Sequence, residues 1–220
     1  GRRRCARGPA EEAAAVAARG ARRWLQQNGS KPFLLWVHFL EPHSPYDPRR
    51  KPRAPVGSRE DFLRRQLAEA LRTVRLEPSD LQLLQELYDE EVAYADGCVG
   101  QLLEALRVLG LAERTVVCFF SDHGDEFLEH GSLGHGHAVH EELLRVPCII
   151  AGAGLRARLV NRTCSLLDLA PTLARLSGLQ VPEQWLGADL LGPAWDHPPR
   201  PIFAESLFDG PEEKLSLIHI

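Results

Sequence analysis

The stretch Thr115–Ile150, TVVCFFSDHGDEFLEHGSLGHGHAVHEELLRVPCII, decides how the chain is read. It opens with a β-branched and aromatic run, Thr115–Phe120, which predicts a buried strand. It closes with a second apolar run, Val146–Ala151, predicted as another strand. Between them the chain turns polar and rich in glycine and histidine. Five of the nine histidines fall between positions 123 and 140. Asp122 and His123 leave directly from a strand end, and a carboxylate beside an imidazole is a hard-to-borderline donor pair for a metal ion. Gly124 would let the chain turn away sharply. Gly131, Gly134 and Gly136 would let backbone approach an anion closely. The competing reading of this stretch is a solvated charged loop.

Working outward, the long segment before it carries Leu81, Leu84, Tyr88, Val92, Ala95, Val99, Leu102, Leu106 and Leu109 at three- and four-residue steps. That predicts one amphipathic helix, with Ser79 as N-cap and Gly110 as its end. Glu60–Leu71 also reads as helical, as does Ala10–Gln27, which stops at Asn28-Gly29. Phe33–Leu40 is continuously apolar and predicts a strand buried on both faces. After the central stretch, Leu166–Ser177 reads as a helix closed by Gly178. Alternating helices and strands predict an α/β class with a mainly parallel sheet and helices on both faces. In such sheets, sites form beyond the carboxyl ends of strands, here after Leu40 and after Phe120.

The first of those places reads His38-Phe39-Leu40-Glu41-Pro42-His43-Ser44-Pro45-Tyr46. Pro42 and Pro45 restrict the backbone around His43, so His43 would be held ready to donate a proton or bind an anion. The alternative is a loop histidine that caps a carbonyl. His38, in the middle of the predicted strand, reads as structural.

Composition narrows the classes. Of 220 residues, 44% are hydrophobic and 25% charged, with net charge -4, ordinary for a globular chain. No basic stripe points to nucleic acid, and no apolar run is long enough to span a bilayer. There is no Met, and the Arg-rich start is followed by no apolar segment, so it is not a signal peptide and the chain is expected to begin inside a larger reading frame. The five cysteines form no C-x-x-C pair. Asn28-Gly29-Ser30 and Asn161-Arg162-Thr163 are glycosylation sequons.

From about Ala21 to Leu191 the chain resembles the sulfatase family of the alkaline-phosphatase-like superfamily. PFLLWVHFLEPHSPYDP is similar to its segment with a substrate-side histidine, the Thr115–Ile150 stretch to the segment with the late metal ligands, and LLDLAPTLARLSGL to the helix that follows. The resemblance implies that Asp122 and His123 ligate a divalent cation, calcium first, with zinc or manganese as alternatives. It implies that His43 contacts the sulfate or assists the leaving group. Where many sulfatases place a lysine on the sulfate, this chain has none, its lysines being Lys31, Lys51 and Lys214. His135 is the first candidate for that catalytic and substrate-binding role and His137 the second. The family's nucleophile, formylglycine matured from C/S-x-P-S-R, and its early Asp-Asp pair do not occur in these residues and are expected upstream. A sulfate-ester substrate, a secretory, lysosomal or periplasmic setting, and inactivity of this chain alone follow.

The implied arrangement is a lead-in helix over 1–30, the carboxy-terminal part of a catalytic domain over 31–192, and a linker or the start of a truncated subdomain over 193–214. Residues 215–220 resemble a translated adapter read-through and are expected to be non-native. Asp-His-Gly with further histidines also resembles metal-dependent phosphatases, phosphodiesterases and phosphoethanolamine transferases, but Glu-Pro-His-Ser-Pro-Tyr and Leu-Arg-Val-Pro tilt the reading to sulfatase. A non-catalytic relic that binds metal or a sulfated glycan is the third reading.

Overall fold

The computed structural model describes residues 13–46, 55, 57–65, 75–152, 154–192, 201–206 and 214–218. The predicted helix start at Ala10, the helix end at Leu71 and Cys5 lie outside them. The chain divides into two units, Gly1–Ala112 and Glu113–Ile220.

In the first unit, α1 (Ala13–Asn28) buries Ala14, Ala18, Ala21 and Leu25, a single stripe at helical spacing. Its small residues let it lie close against α3 (Pro78–Val108), where Ala14 and Ala18 meet Cys98 with Phe39 and Tyr94 alongside. The Ala14 amide donates to Glu41 Oε1 at 3.0 Å. Past its last turn a side chain at Gly29 is excluded by backbone, because a Cβ would lie 2.7 Å from the Leu25 carbonyl oxygen.

α3 starts differently from expectation. Glu77, not Ser79, is the N-cap: its backbone is extended, Pro78 occupies the first turn, and the Glu77 amide donates to Asp80 Oδ2 at 2.7 Å. Proline at the first helical position is preset for the helix and lacks the amide that would go unsatisfied, so Ser79 falls inside. The short α2 (Arg59–Arg65) is tied to this cap, with Arg59 donating to both Asp80 oxygens at 2.9 and 2.5 Å. The buried face of α3 runs through Leu84, Leu87, Glu91 and Cys98, while Val92 is exposed. The expected seam is therefore rotated, because α1 offers alanines that fit Cys98 and Tyr94.

Phe33–Leu40 forms no hydrogen-bonded strand among the described residues. Burial alternates instead: Phe33, Leu35, Val37 and Phe39 are half-buried, whereas Leu34 is 89% and Trp36 73% exposed, and Leu40 and His38 are exposed too. One face of the run is packed, not two.

In the second unit β1 (Val116–Phe120) pairs antiparallel with β4 (Cys148–Gly152), Val116 opposite Gly152 and Phe120 opposite Cys148. The alternation of helices and strands matches the α/β expectation. All three strand pairs among the described residues are antiparallel, however, whereas a mainly parallel sheet was expected. The reason lies in the connection: the chain leaves β1, folds through its polar loop and returns beside it, with Ser121 N donating to Pro147 O at 3.3 Å. A parallel neighbour would need a crossover. A hairpin of β2 (Glu126–Phe127) and β3 (Leu133–Gly134) and a four-residue helix α4 (Glu141–Leu144) sit within that connection.

The predicted helix at Leu166 begins as a 3₁₀ turn, Leu166–Asp168, and continues as α5 (Leu169–Leu176), with Gly178 at φ 71° beyond it. Buried Asp168 accepts from the amides of Ser165 and Ala188 at 2.8 and 2.7 Å, which ties the following loop to the helix start. β5 (Ile202–Ser206) pairs with β6 (Lys214–Ile218), so most of the segment expected to be a non-native tail runs as a strand.

Candidate metal centre

β1 delivers Ser121, Asp122 and His123 in sequence from its end. Ser121 Oγ donates to the His123 carbonyl at 2.7 Å and pins the turn. His123 Nδ1 donates to the Gly124 carbonyl at 3.0 Å, which fixes the tautomer and leaves Nε2 as the nitrogen with a lone pair. Asp122 is 71% exposed; its Oδ1 accepts from the His123 amide at 3.1 Å and lies 3.9 Å from His123 Nε2.

Gly124 follows for a reason of space. Its amide donates to Leu143 O at 2.9 Å, and a Cβ there would stand 2.1 Å from the Glu142 carbonyl oxygen. The expectation for Gly124 was a sharp turn; its φ is not positive, and close approach to α4 is what excludes a side chain.

The β2–β3 register places Glu126 opposite Gly134. One step out, Asp125 faces His135, whose Nδ1 donates to Asp125 Oδ1 at 2.6 Å. Gly134 and Gly136, at φ 77° and 88°, bracket His135 with backbone that other residues resist. Ser206 Oγ donates to the Gly136 carbonyl. The His135 ring lies against that of His123, centroids 3.9 Å apart. The hydrogen bond to Asp125 holds His135 above the ordinary histidine value; burial opposes it and the charges of Asp125 and Asp122 assist.

The result is a convergence of His123, Asp125 and His135, whose ligand atoms lie within 4.8 Å of one another. Two imidazoles and a carboxylate, with the Asp122 carboxylate beside them, fit a divalent cation.

His137 does not join this group; its Nε2 donates to Glu126 Oε2 at 2.7 Å. Burial pushes the Glu126 carboxyl up, but hydrogen bonds from His137, Ser132 and His130 outweigh it and hold the group below its ordinary value. His43 belongs to the first unit, is exposed, and donates from Nδ1 to the Ser44 carbonyl at 2.5 Å. That is the carbonyl-capping contact anticipated as the alternative to a catalytic one. Asp125 was passed over in the sequence because 121–133 read as loop; the near-symmetric spacing of Asp125 and His135 about the Leu128–Gly131 turn is the signal that could have found it.

The sequence profile of the Sulfatase family matches residues 8–179. The chain belongs to the sulfatase family. Bovine (Bos taurus) arylsulfatase K is 32% identical over 120 residues, covering 54% of this chain and 22% of that protein. Among solved structures, BT4656 in complex with its substrate D-glucosamine-2-N,6-O-disulfate superposes with a TM-score of 0.68 at 18% identity, over 94% of this chain and 58% of that one. The phosphonate monoester hydrolase of Agrobacterium radiobacter superposes at 0.67 with 25% identity, over 90% and 47%. This sulfatase-family chain thus spans about a fifth of the length of arylsulfatase K and about half of these solved chains.

Proposed function

We propose that this chain supplies late metal ligands and substrate-side histidines of a sulfuric ester hydrolase. The observation that carries the reading is the convergence of His123, Asp125 and His135 beside Asp122 at the end of β1. Asp122 and His123 would hold the cation with Asp125 in reach, and the bound ion would lend positive charge to a sulfate oxygen. His135, whose Nδ1 donates to Asp125, would offer its ring where charge develops on the sulfuryl oxygens, with His137 the second choice. His43 would donate a proton to the leaving alcohol or contact the sulfate. Calcium is the family expectation, with zinc or manganese as alternatives; two imidazoles within reach favour zinc among them.

Neither C/S-x-P-S-R nor an Asp-Asp pair occurs in the 220 residues, so the proposal requires a nucleophile and partner ligands from polypeptide outside this sequence. A secretory, lysosomal or periplasmic setting is part of the proposal; in secretory material, a glycan on exposed Asn161 would support it.

The test is to read the transcript beyond the Gly1 codon and assay the encoded protein on aryl sulfate and aryl phosphate esters. Sulfate hydrolysis that falls on the order of a hundred- to a thousand-fold in His135→Ala supports the reading. Turnover of phosphate but not sulfate would move the reaction to phosphoryl transfer, the second reading favoured by the two-imidazole donor set. Turnover of neither would leave a binding protein. Sulfate hydrolysis by the 220-residue chain alone would overturn the need for an outside nucleophile.

A further inference from the structure

We propose a second divalent-cation site, for zinc or a similar borderline metal, formed by Glu126, His130 and Glu142. The three residues come from different elements: β2, the turn after it, and the first turn of α4. One ligand atom from each lies within 4.8 Å of the others, and none is shared with the His123–Asp125–His135 group. Tetrahedral zinc with bonds near 2 Å spaces its ligands by roughly 3.3 Å; the His130–Glu142 pair, at 2.6 Å, would open to that spacing, and no pair of the three lies beyond 4.8 Å.

The carboxylates are already placed. Glu126 is fully buried, and its Oε1 accepts the amides of His130 and Ser132 at 2.9 and 2.8 Å. Those two bonds fix its plane, as outer hydrogen bonds fix the ligands of structural metal sites. Its other oxygen faces His137 Nε2. Glu142 Oε1 receives His130 Nδ1 at 2.6 Å, and the His130 ring is stacked on His140 with centroids 3.8 Å apart.

The bland account is a self-satisfied set of histidine–carboxylate hydrogen bonds. Two features favour a cation. Two carboxylates meet at one place, Glu126 fully buried and Glu142 half-buried, and a dication would offset their charge. The imidazole nitrogen facing Glu142, Nδ1 of His130, is also an atom that can ligate. A cation would take the lone pair of the His130 nitrogen, the ring proton moving to its other nitrogen, with the Glu126 and Glu142 carboxylates as the remaining ligands.

The test is zinc binding by the chelator-stripped chain, measured by equilibrium dialysis with elemental analysis. The expected result is one equivalent that survives in Asp122→Asn/His123→Asn and is lost in His130→Asn/Glu142→Gln. The single variant Glu142→Gln, which keeps the shape of the side chain, should weaken that equivalent at least tenfold, and circular dichroism checks that both proteins are folded. The proposal is overturned if the stripped chain takes up no zinc, or if His130→Asn/Glu142→Gln binds as much as the unaltered chain. Hydrolytic activity does not enter the readout, so the result is independent of the reaction proposed above.

Discussion

His135 and Asp125 are joined by a 2.6 Å hydrogen bond that follows from hairpin register alone: with Glu126 opposite Gly134, the next pair outward is theirs. The bond holds the ring's pKa above the ordinary histidine value. Removing the carboxylate should therefore be read first in the titration of the ring. In the metal-free chain, Asp125→Asn is expected to lower the His135 pKa, followed by NMR of its ring protons. Because the folded value is raised above 6.5, its contribution to stability is complete below that pH and disappears as pH rises through the folded value. The variant should show a flatter stability profile over the same window; an unchanged titration would mean that the pair does not exist in solution.

Gly124→Ala forces a Cβ to within 2.1 Å of the Glu142 carbonyl oxygen. Backbone cannot yield as a flexible side chain would, so a loss of about 3 kcal/mol is expected, at the upper end of overpacking costs. The midpoint of urea unfolding measures it. A variant as stable as the parent would show that the loop does not lie against α4.

The acid side of the stability profile should belong in part to Glu126. Its folded value lies below 4.5, so its contribution is present above that pH and is lost as pH falls through the folded value. Glu126→Gln cannot titrate, and its unfolding midpoint should depend less on pH from 4.5 downward. Parallel profiles for the two proteins would remove Glu126 from the account.

Burial pushes the Cys118 thiol up to about 11, aided by its neighbour Cys148. Against an ordinary value of 9.0, that leaves about 100-fold less thiolate at pH 8, and thiolate is the reactive form. Alkylation of the native chain, read by peptide mass spectrometry, should modify Cys118 slowest among the cysteines of β1, β4 and the following loop. Labelling of Cys118 at the rate of an unfolded control would contradict its placement in β1.

The metal-centre residues were legible to different degrees, and the reasons are physical. Asp122 and His123 stood out because a β-branched and aromatic run announces a strand, and a polar pair at its end has no packing role. Asp125 stayed hidden because β2 and β3 are two residues each, too short for an alternating pattern, and only register brings it to His135. The end of α3 was readable but its start was not, since both Glu77 and Ser79 precede helix-compatible residues and Pro78 alone decides between them. Its buried face depended on the alanines of α1, which no periodicity within α3 encodes. Phe33–Leu40 is apolar on both faces, and such a run cannot say which side is covered.

That last segment has a practical meaning for anyone handling the polypeptide. With Leu34 and Trp36 turned outward on one line, it displays the kind of surface that chaperones hold and that concentrated chains share with one another. Yield and clarity of a preparation will be governed there, and a detergent or a Trp36→Lys change that blunts the line should do more for solubility than any adjustment at the histidine-rich loop.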